Sequence, residues 1–414
     1  MLAASTAVAE ITALAGGTVL DVLSGQYTRD AVVLIDDGMI SAVGSAAEVP
    51  VPEEALRIDM TGQTLLPGLI DMHVHLTAGP ESHGYKALTL SDERSAIYGV
   101  VHAERTLRAG FTTVRNVGAR SYGDVALRDA INDGDIPGPR MFVSGPPVNI
   151  TGGHCGDNNL LPPEYNAIGE NVADGPWAVR KAVRRNVKYG VDLIKTCATG
   201  GVLSKGTSVG GPQYTLEELT AMVDEAHSHG LKVAAHAHGT EGILNALRAG
   251  VDTIEHGSFI DDEGIRLARK NAAWLTMDVY VTEYILGEGE AAGILPESLA
   301  KERLTGETQR ANFRKALRAG VKMLFGTDAG VYPHGQNARQ FSRMTRFGMT
   351  PLAALQSATV NAAAALGQED TLGQLRAGFH ADIVAVAGDP LQDISLLEAP
   401  SFVMKAGRVY LGRE

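Results

Sequence analysis

Residues 69–76 read LIDMHVHL, and the fold turns on how that octapeptide is read. Successive side chains of an extended strand point to opposite faces. Ile70, Met72, Val74 and Leu76 therefore share one face, while Asp71, His73 and His75 share the other with Leu69. The first face is ordinary core. The second is costly to bury unless a partner satisfies its polar groups.

Working outward, the texture on either side of this stretch differs. Residues 17–66 hold short strand-like runs broken by Gly and Asp (GTVLDVL, AVVLIDDGMISAVG, LRIDMTGQTLLPG), which read as a β-meander. From 69 to about 365, apolar strands alternate with helical stretches. The strands are LIDMHVHL, TTVRNVG, RMFVSG, LIKTCATGG, KVAAHAHG, TIEHGS, AWLTMDVY and KMLFGTDAG. Amphipathic stretches such as TLEELTAMVDEAHSHG and EGILNALRAG lie between them, the latter closed by Gly. Eight such units predict an α/β protein built on a (β/α)8 TIM-like barrel. After TPLAALQSATVNAAAALG the β-texture returns with HADIVAVAGDP and SFVMKAGRVYLG. The expected organisation is a small β-sandwich made by residues 1–66 and 368–414, with the barrel, 67–367, between them. Residues 281–305 are long for a βα connection and read as a lid or a subunit contact.

Composition narrows the function classes. The chain of 414 residues is 44 % hydrophobic, normal for a globular enzyme, and no apolar run is long enough to span a bilayer. A net charge of −12 argues against nucleic acid or an anionic membrane as partner and leaves a small-molecule substrate open. Cys155 and Cys197 are too few for a disulfide framework, and their spacing leaves open whether they pair. A filler role for Cys155 is favoured over a catalytic thiol, because nothing else resembles a thiol-protease signature. The start, MLAASTAVAE, lacks the basic segment and apolar core of a complete signal peptide. It reads as a cytoplasmic start, or as the remnant of a trimmed signal in a periplasmic or secreted protein.

The alternation test extends to the other strands. Leu193, Lys195 and Cys197 share a face, as do His236 and His238; Ile254, His256 and Ser258; and Leu324, Gly326 and Asp328. No carboxylate near Lys195 in sequence falls on its face to pair with it. Taken singly, an HxH is most often incidental, a strand His a hydrogen-bonded core residue, and an Asp in GTDAG the start of a turn. Together they arrive on strands one, four, five, six and eight. All lie near the C-terminal strand ends, where a barrel has its catalytic mouth.

This constellation resembles the amidohydrolase superfamily, in the branch with two divalent metals bridged by a carboxylated lysine. The resemblance covers essentially the whole chain. LLPGLIDMHVHL looks like the family's first barrel strand, and GQLRAGFHADIVAVAGDPL like its return to the β-domain. TGGH, AAHAHGTEGI, GVDTIEHGS and GTDAGVYPHG are similar to the group that includes Xaa-Pro dipeptidases, imidazolonepropionase-related enzymes and ochratoxin-degrading amidohydrolases. One departure is Asn116 in TTVRNVG, where many relatives carry Asp.

The resemblance implies that His73, His75 and Asp328 hold the more buried metal and His236 and His256 the more exposed one. Lys195 would bridge both as a carbamate formed with carbon dioxide. Imidazole and oxygen ligands suit Zn2+ best. A hydroxide between the metals would be the nucleophile, with Asp328 accepting and delivering the proton. His256 is thus both ligand and catalytic candidate. His154, His238 and, less strongly, His334 are expected to bind substrate; His83, His102, His227, His229 and His380 read as surface or structural. The implied reaction is hydrolysis of the amide bond of N-acyl amino acids or dipeptides, ochratoxin A being one such substrate. Relatives are often homo-oligomers. Deamination or the opening of a cyclic amide or lactone is the second reading. Relatives that deaminate or open cyclic amides use one metal and lack the bridging lysine, so Lys195 counts against it. A metal-free scaffold would require missing ligands, and none is missing.

Overall fold

The computed structural model describes residues 11–157 and 159–412; the stretch MLAASTAVAE lies outside them. The chain divides into two compact units. One holds the residues up to Ile70, Leu107–Thr112 and the stretch from Pro351 onward; the other holds Asp71–Thr106 and Thr113–Thr350.

The first unit carries an eight-stranded sheet to which both chain ends contribute. Thr12–Leu20 pairs antiparallel with Tyr27–Asp36 and parallel with Leu56–Asp59 and Gln63–Pro67. Gln63–Pro67 then pairs antiparallel with Ile383–Ala387, which leads on to Phe402–Lys405 and Arg408–Leu411. Leu14, Val33, Leu65, Ile383 and Met404 fill one buried cluster, so the two chain ends share a single core.

The eight expected barrel strands are all present. Leu69–Val74, Phe111–Asn116 and Arg140–Val143 form one parallel run. Leu193–Cys197, Lys232–Ala237, Thr253–His256, Trp274–Thr276 and Met323–Leu324 form the other. Parallel bridges Val74–Ala329 and Val148–Thr196 close the ring. The intervening helices follow their sequence signals. Thr215 caps Leu216–Ser228 in a reciprocal box with Glu218, and Gly250, at φ +92°, ends Thr240–Ala249.

The long connection after strand seven is helical: Val281–Gly287, Gly289–Ala292 and Pro296–Arg318. Val281, Ile285, Ile294 and Leu295 place it along a cavity of about 380 Å³ at the C-terminal strand ends. Among the described residues no helix is long and apolar enough to cross a membrane.

Candidate metal centre

Strand one delivers its histidines as its pleat dictates. His73 and His75 reach the cavity, and Val74 between them does not. Asp71, on the same face, lies deeper and is a structural anchor. It accepts hydrogen bonds from Thr327 Oγ1 (2.6 Å), Asn337 Nδ2 (2.8 Å) and the His73 amide (3.1 Å). Burial lifts its pKa to about 6 against those bonds.

Lys195, His236, His238, His256 and Asp328 join His73 and His75 around the same cavity. Asp328 Oδ1 lies 3.4 Å from His73 Nε2 and 3.3 Å from His75 Nε2. Burial opposes its charge, but these imidazole contacts hold its pKa well below the usual carboxylate range. His73, His256 and Asp328 bring ligand atoms within 4.8 Å of one another, as do His236, His238 and His256.

The outward ring nitrogens are occupied, which aims the others inward. His73 Nδ1 is 2.9 Å from Glu255 Oε2, His256 Nδ1 is 2.9 Å from Asp278 Oδ1, and His238 Nδ1 is 2.7 Å from Ser258 Oγ. His236 reverses the pattern, with Nε2 3.3 Å from the Gly200 carbonyl. Partners of this kind fix tautomer and ring orientation at metal sites. Burial, reinforced by neighbouring imidazoles and by Lys195, holds His236 and His238 well below their ordinary pKa. Burial and His73 push His256 down to about 3. Neutral imidazole is the form that ligates a metal.

Lys195 is 2 % exposed. Among the described residues its Nζ has no hydrogen-bond partner and no carboxylate within 4.0 Å. Burial lowers its ammonium to about 8, with Glu255 and Asp328 opposing the fall from a distance. A buried lysine amine without a side-chain partner, amid imidazoles and Asp328, is chemically suited to serve a metal site.

Two residues of the centre were not singled out in the sequence. Asp278 orients His256, takes a bond from Gln309 Nε2 at 2.9 Å, and is raised to about 8 by burial and by Asp328. The alternation test on AWLTMDVY places it on one face with Thr276, so it was within reach. Glu255 was not. Simple alternation turns it away from His256, yet it bonds His73 and takes Arg115 Nη2 at 2.7 Å. The expected pleat fails here because His256 adopts φ +69°, in the left-handed region. Asp328, at φ +56°, is a second such corner.

The remaining expectations divide. His154 lines the cavity, its Nδ1 2.8 Å from Ser204 Oγ and its ring 4.2 Å from that of His236. Any side chain at Gly201 would run into that ring. His334 is not brought to the cavity wall: it stacks on His102 at 4.4 Å, and its Nε2 lies 2.9 Å from the Ala78 carbonyl. His83 is buried against the Val331 carbonyl (2.7 Å) and lines the cavity. His227 pairs with Asp252 (2.9 Å). Cys155 and Cys197 form a disulfide that ties the His154 loop to strand four, so Cys155 is not a free thiol.

The sequence pattern of the amidohydrolase family matches residues 64–411. Ochratoxinase from Aspergillus niger is 33 % identical across 100 % of this chain and 89 % of its own length. Its crystal structure superposes with a TM-score of 0.84, at 31 % identity, over 98 % of this chain and 96 % of its own.

 A Xaa-Pro dipeptidase crystallised with methionine in its active site superposes with a TM-score of 0.91, at 38 % identity, over 97 % of this chain and 100 % of its own. Imidazolonepropionase from Sphingopyxis alaskensis is 25 % identical over 88 % of each chain. With its strand-end histidines, lysine and aspartate gathered in one barrel mouth and likeness running the length of the chain, this protein belongs to the amidohydrolase family and is a hydrolase of amide bonds.

Proposed function

We propose that the protein is a binuclear metallohydrolase that cleaves the amide bond of N-acyl amino acids or dipeptides. The observation that carries this reading is Lys195, a buried amine without a partner amid imidazoles and Asp328. Its lowered pKa leaves a share of neutral amine near physiological pH. That amine would add to carbon dioxide, forming an N–C bond and releasing one proton, and the resulting carbamate would be an anionic metal ligand. His73, His75 and Asp328 would hold one divalent ion and His236 and His256 the other, Zn2+ fitting the donors best. When bound, such ions would supply polarisation of the scissile carbonyl and a lowered pKa for a water. Asp328 accepts the proton of the attacking water and passes it to the leaving nitrogen. His154 and His238 face the same cavity and would receive the free α-carboxylate of the substrate. Ochratoxin A is an N-acyl amino acid and fits this class, and one relative is named ochratoxinase.

The test is a panel of N-acyl amino acids and dipeptides, free and esterified at the α-carboxylate, given to zinc-loaded protein. Esterification is expected to lower kcat/KM about 10- to 150-fold, the cost of losing a hydrogen bond to a charged group. Lys195→Ala is expected to lose metal and activity together, and Lys195→Arg to restore neither, since guanidinium stays protonated. A fully active Arg variant, or equal cleavage of acid and ester, would overturn the corresponding part of the reading.

A further inference from the structure

The helix Pro296–Arg318 turns an unusual face to the cavity. Ser298, Glu302, Thr305 and Gln309 follow one another at helical spacing, and all four are buried and line the cavity wall. Gln309 has a task, since it binds Asp278. Glu302 has none in the chemistry above. It is 4 % exposed, and among the described residues no basic side chain lies within 4.0 Å of its carboxylate. Neighbouring Arg310 is turned toward Glu283 (3.8 Å) and the Val279 carbonyl (3.4 Å). One turn before Glu302, the buried Ser298 Oγ has no hydrogen-bond partner. One turn after it stands Gly306, in a helix interior where glycine is disfavoured against alanine. A Cβ there would lie 2.8 Å from Glu302 Oε1 and would crowd Thr282. The missing side chain keeps room for the carboxylate.

We propose that Glu302, with Ser298 beside it, is a subsite for a nitrogen cation of the substrate, an ammonium or guanidinium group. This rests on the hydrolase reading above and adds a selectivity to it. A buried carboxylate is expensive without a counter-charge, whereas a cation arriving with the substrate would supply one. Burial already raises the Glu302 pKa to about 7, a cost that a bound cation offsets. The Ser298 hydroxyl can accept a second N–H from the same group. The cation has two sources in the proposed substrates: a basic side chain or a free α-amino group.

Two substrate pairs separate these sources. N-acetyl-alanyl-lysine against N-acetyl-alanyl-norleucine varies the side chain; alanyl-norleucine against N-acetyl-alanyl-norleucine varies the α-amine. In one of the pairs the parent protein is expected to favour the cationic member in kcat/KM by about ten- to a hundredfold, the scale of a charge-assisted hydrogen bond. Glu302→Gln should bring that ratio near one, and Glu302→Asp should retain part of it. Calorimetric binding of L-lysine, L-norleucine and norleucinamide reads the same subsite without turnover. L-lysine against L-norleucine isolates the side-chain cation, and norleucinamide against N-acetylnorleucinamide isolates the α-amine. Cleavage of the neutral members with no cationic preference in either pair would overturn the subsite and leave the hydrolase reading intact. A Gln variant that keeps the full preference would overturn it too. If no peptide is cleaved but a cation preference in binding depends on Glu302, the subsite stands and the hydrolase reading falls. If neither cleavage nor binding depends on the cation, the subsite falls.

Discussion

His73 and His256 stand with ring centroids 4.9 Å apart, yet two different backbones deliver them. Strand one stays extended through His73, so its pleat sends alternate residues to the cavity. Strand six ends in a left-handed residue, and Glu255 and His256 both turn toward His73. A regular strand can offer one inward side chain in every two residues. The kinked strand end offers two in succession, a carboxylate that orients one histidine and a second histidine that faces the cavity. A non-glycine residue in that region costs roughly 1–3 kcal/mol, and such strain persists where the surroundings hold it. Here Asp278 and Gln309 hold it, through His256 Nδ1 and the His256 carbonyl.

Asp328 is the other left-handed corner, and substituting it is expected to have the largest effect. Asp328→Asn keeps a residue that tolerates this backbone and removes the proton acceptor. A fall in kcat of about 10²–10⁴-fold is expected, measured alongside metal content by elemental analysis. An Asn variant with full metal and near-parental kcat would place proton transfer elsewhere. Glu255→Gln examines the inward carboxylate of strand six. It removes the charge that holds His73 Nδ1 and balances Arg115, so metal affinity should fall about 10- to 100-fold in a chelator titration. Unchanged affinity would show that the kink serves His256 alone.

The smallest effect is expected on a regular strand. Asn116 accepts the Leu76 amide at 2.7 Å and donates to Asp124 Oδ2 at 3.1 Å. Asn116→Asp sets a second carboxylate against Asp124, whose pKa burial has already raised from 3.8 to about 6. A loss of about 1–3 kcal/mol at neutral pH follows from the broken buried bond. The folded form of a raised carboxyl binds more protons than the unfolded form, so its stability contribution declines as pH rises from the unfolded to the folded pKa. The variant should therefore lose more at pH 8 than at pH 5 in urea unfolding. An equal loss at both would assign the effect to packing.

Extended backbone was the condition for reading this site from sequence. His73, His75, Lys195 and His236 could be placed at the barrel mouth because strand alternation and strand direction sufficed, and Asp278 yields to the same test; His256 and Asp328, with their left-handed backbones, were placed by lying at the strand ends. Glu255 was hidden by the torsion of the next residue, which no residue type announces. His334 sits in a loop, where no period exists to read, and its ring went to His102. The Ser298–Gln309 stripe had a helical period, but an amphipathic helix does not say whether its polar face meets solvent or a cavity. The barrel itself was plain, since eight βα units and a β-texture at both ends leave few other arrangements.

The bond between Cys155 and Cys197 closes a loop across a sequence separation of 42, including the helix Pro176–Lys188. In the chain-entropy account, such a closure narrows the unfolded ensemble by about 4 kcal/mol. The ring it makes begins one residue after His154 and ends two residues after Lys195. The freedom of the His154 loop is therefore set partly by covalent chemistry, apart from anything bound in the cavity. A thiol-reducing compartment would open that ring and give the same sequence a longer, looser tether at the mouth of its barrel.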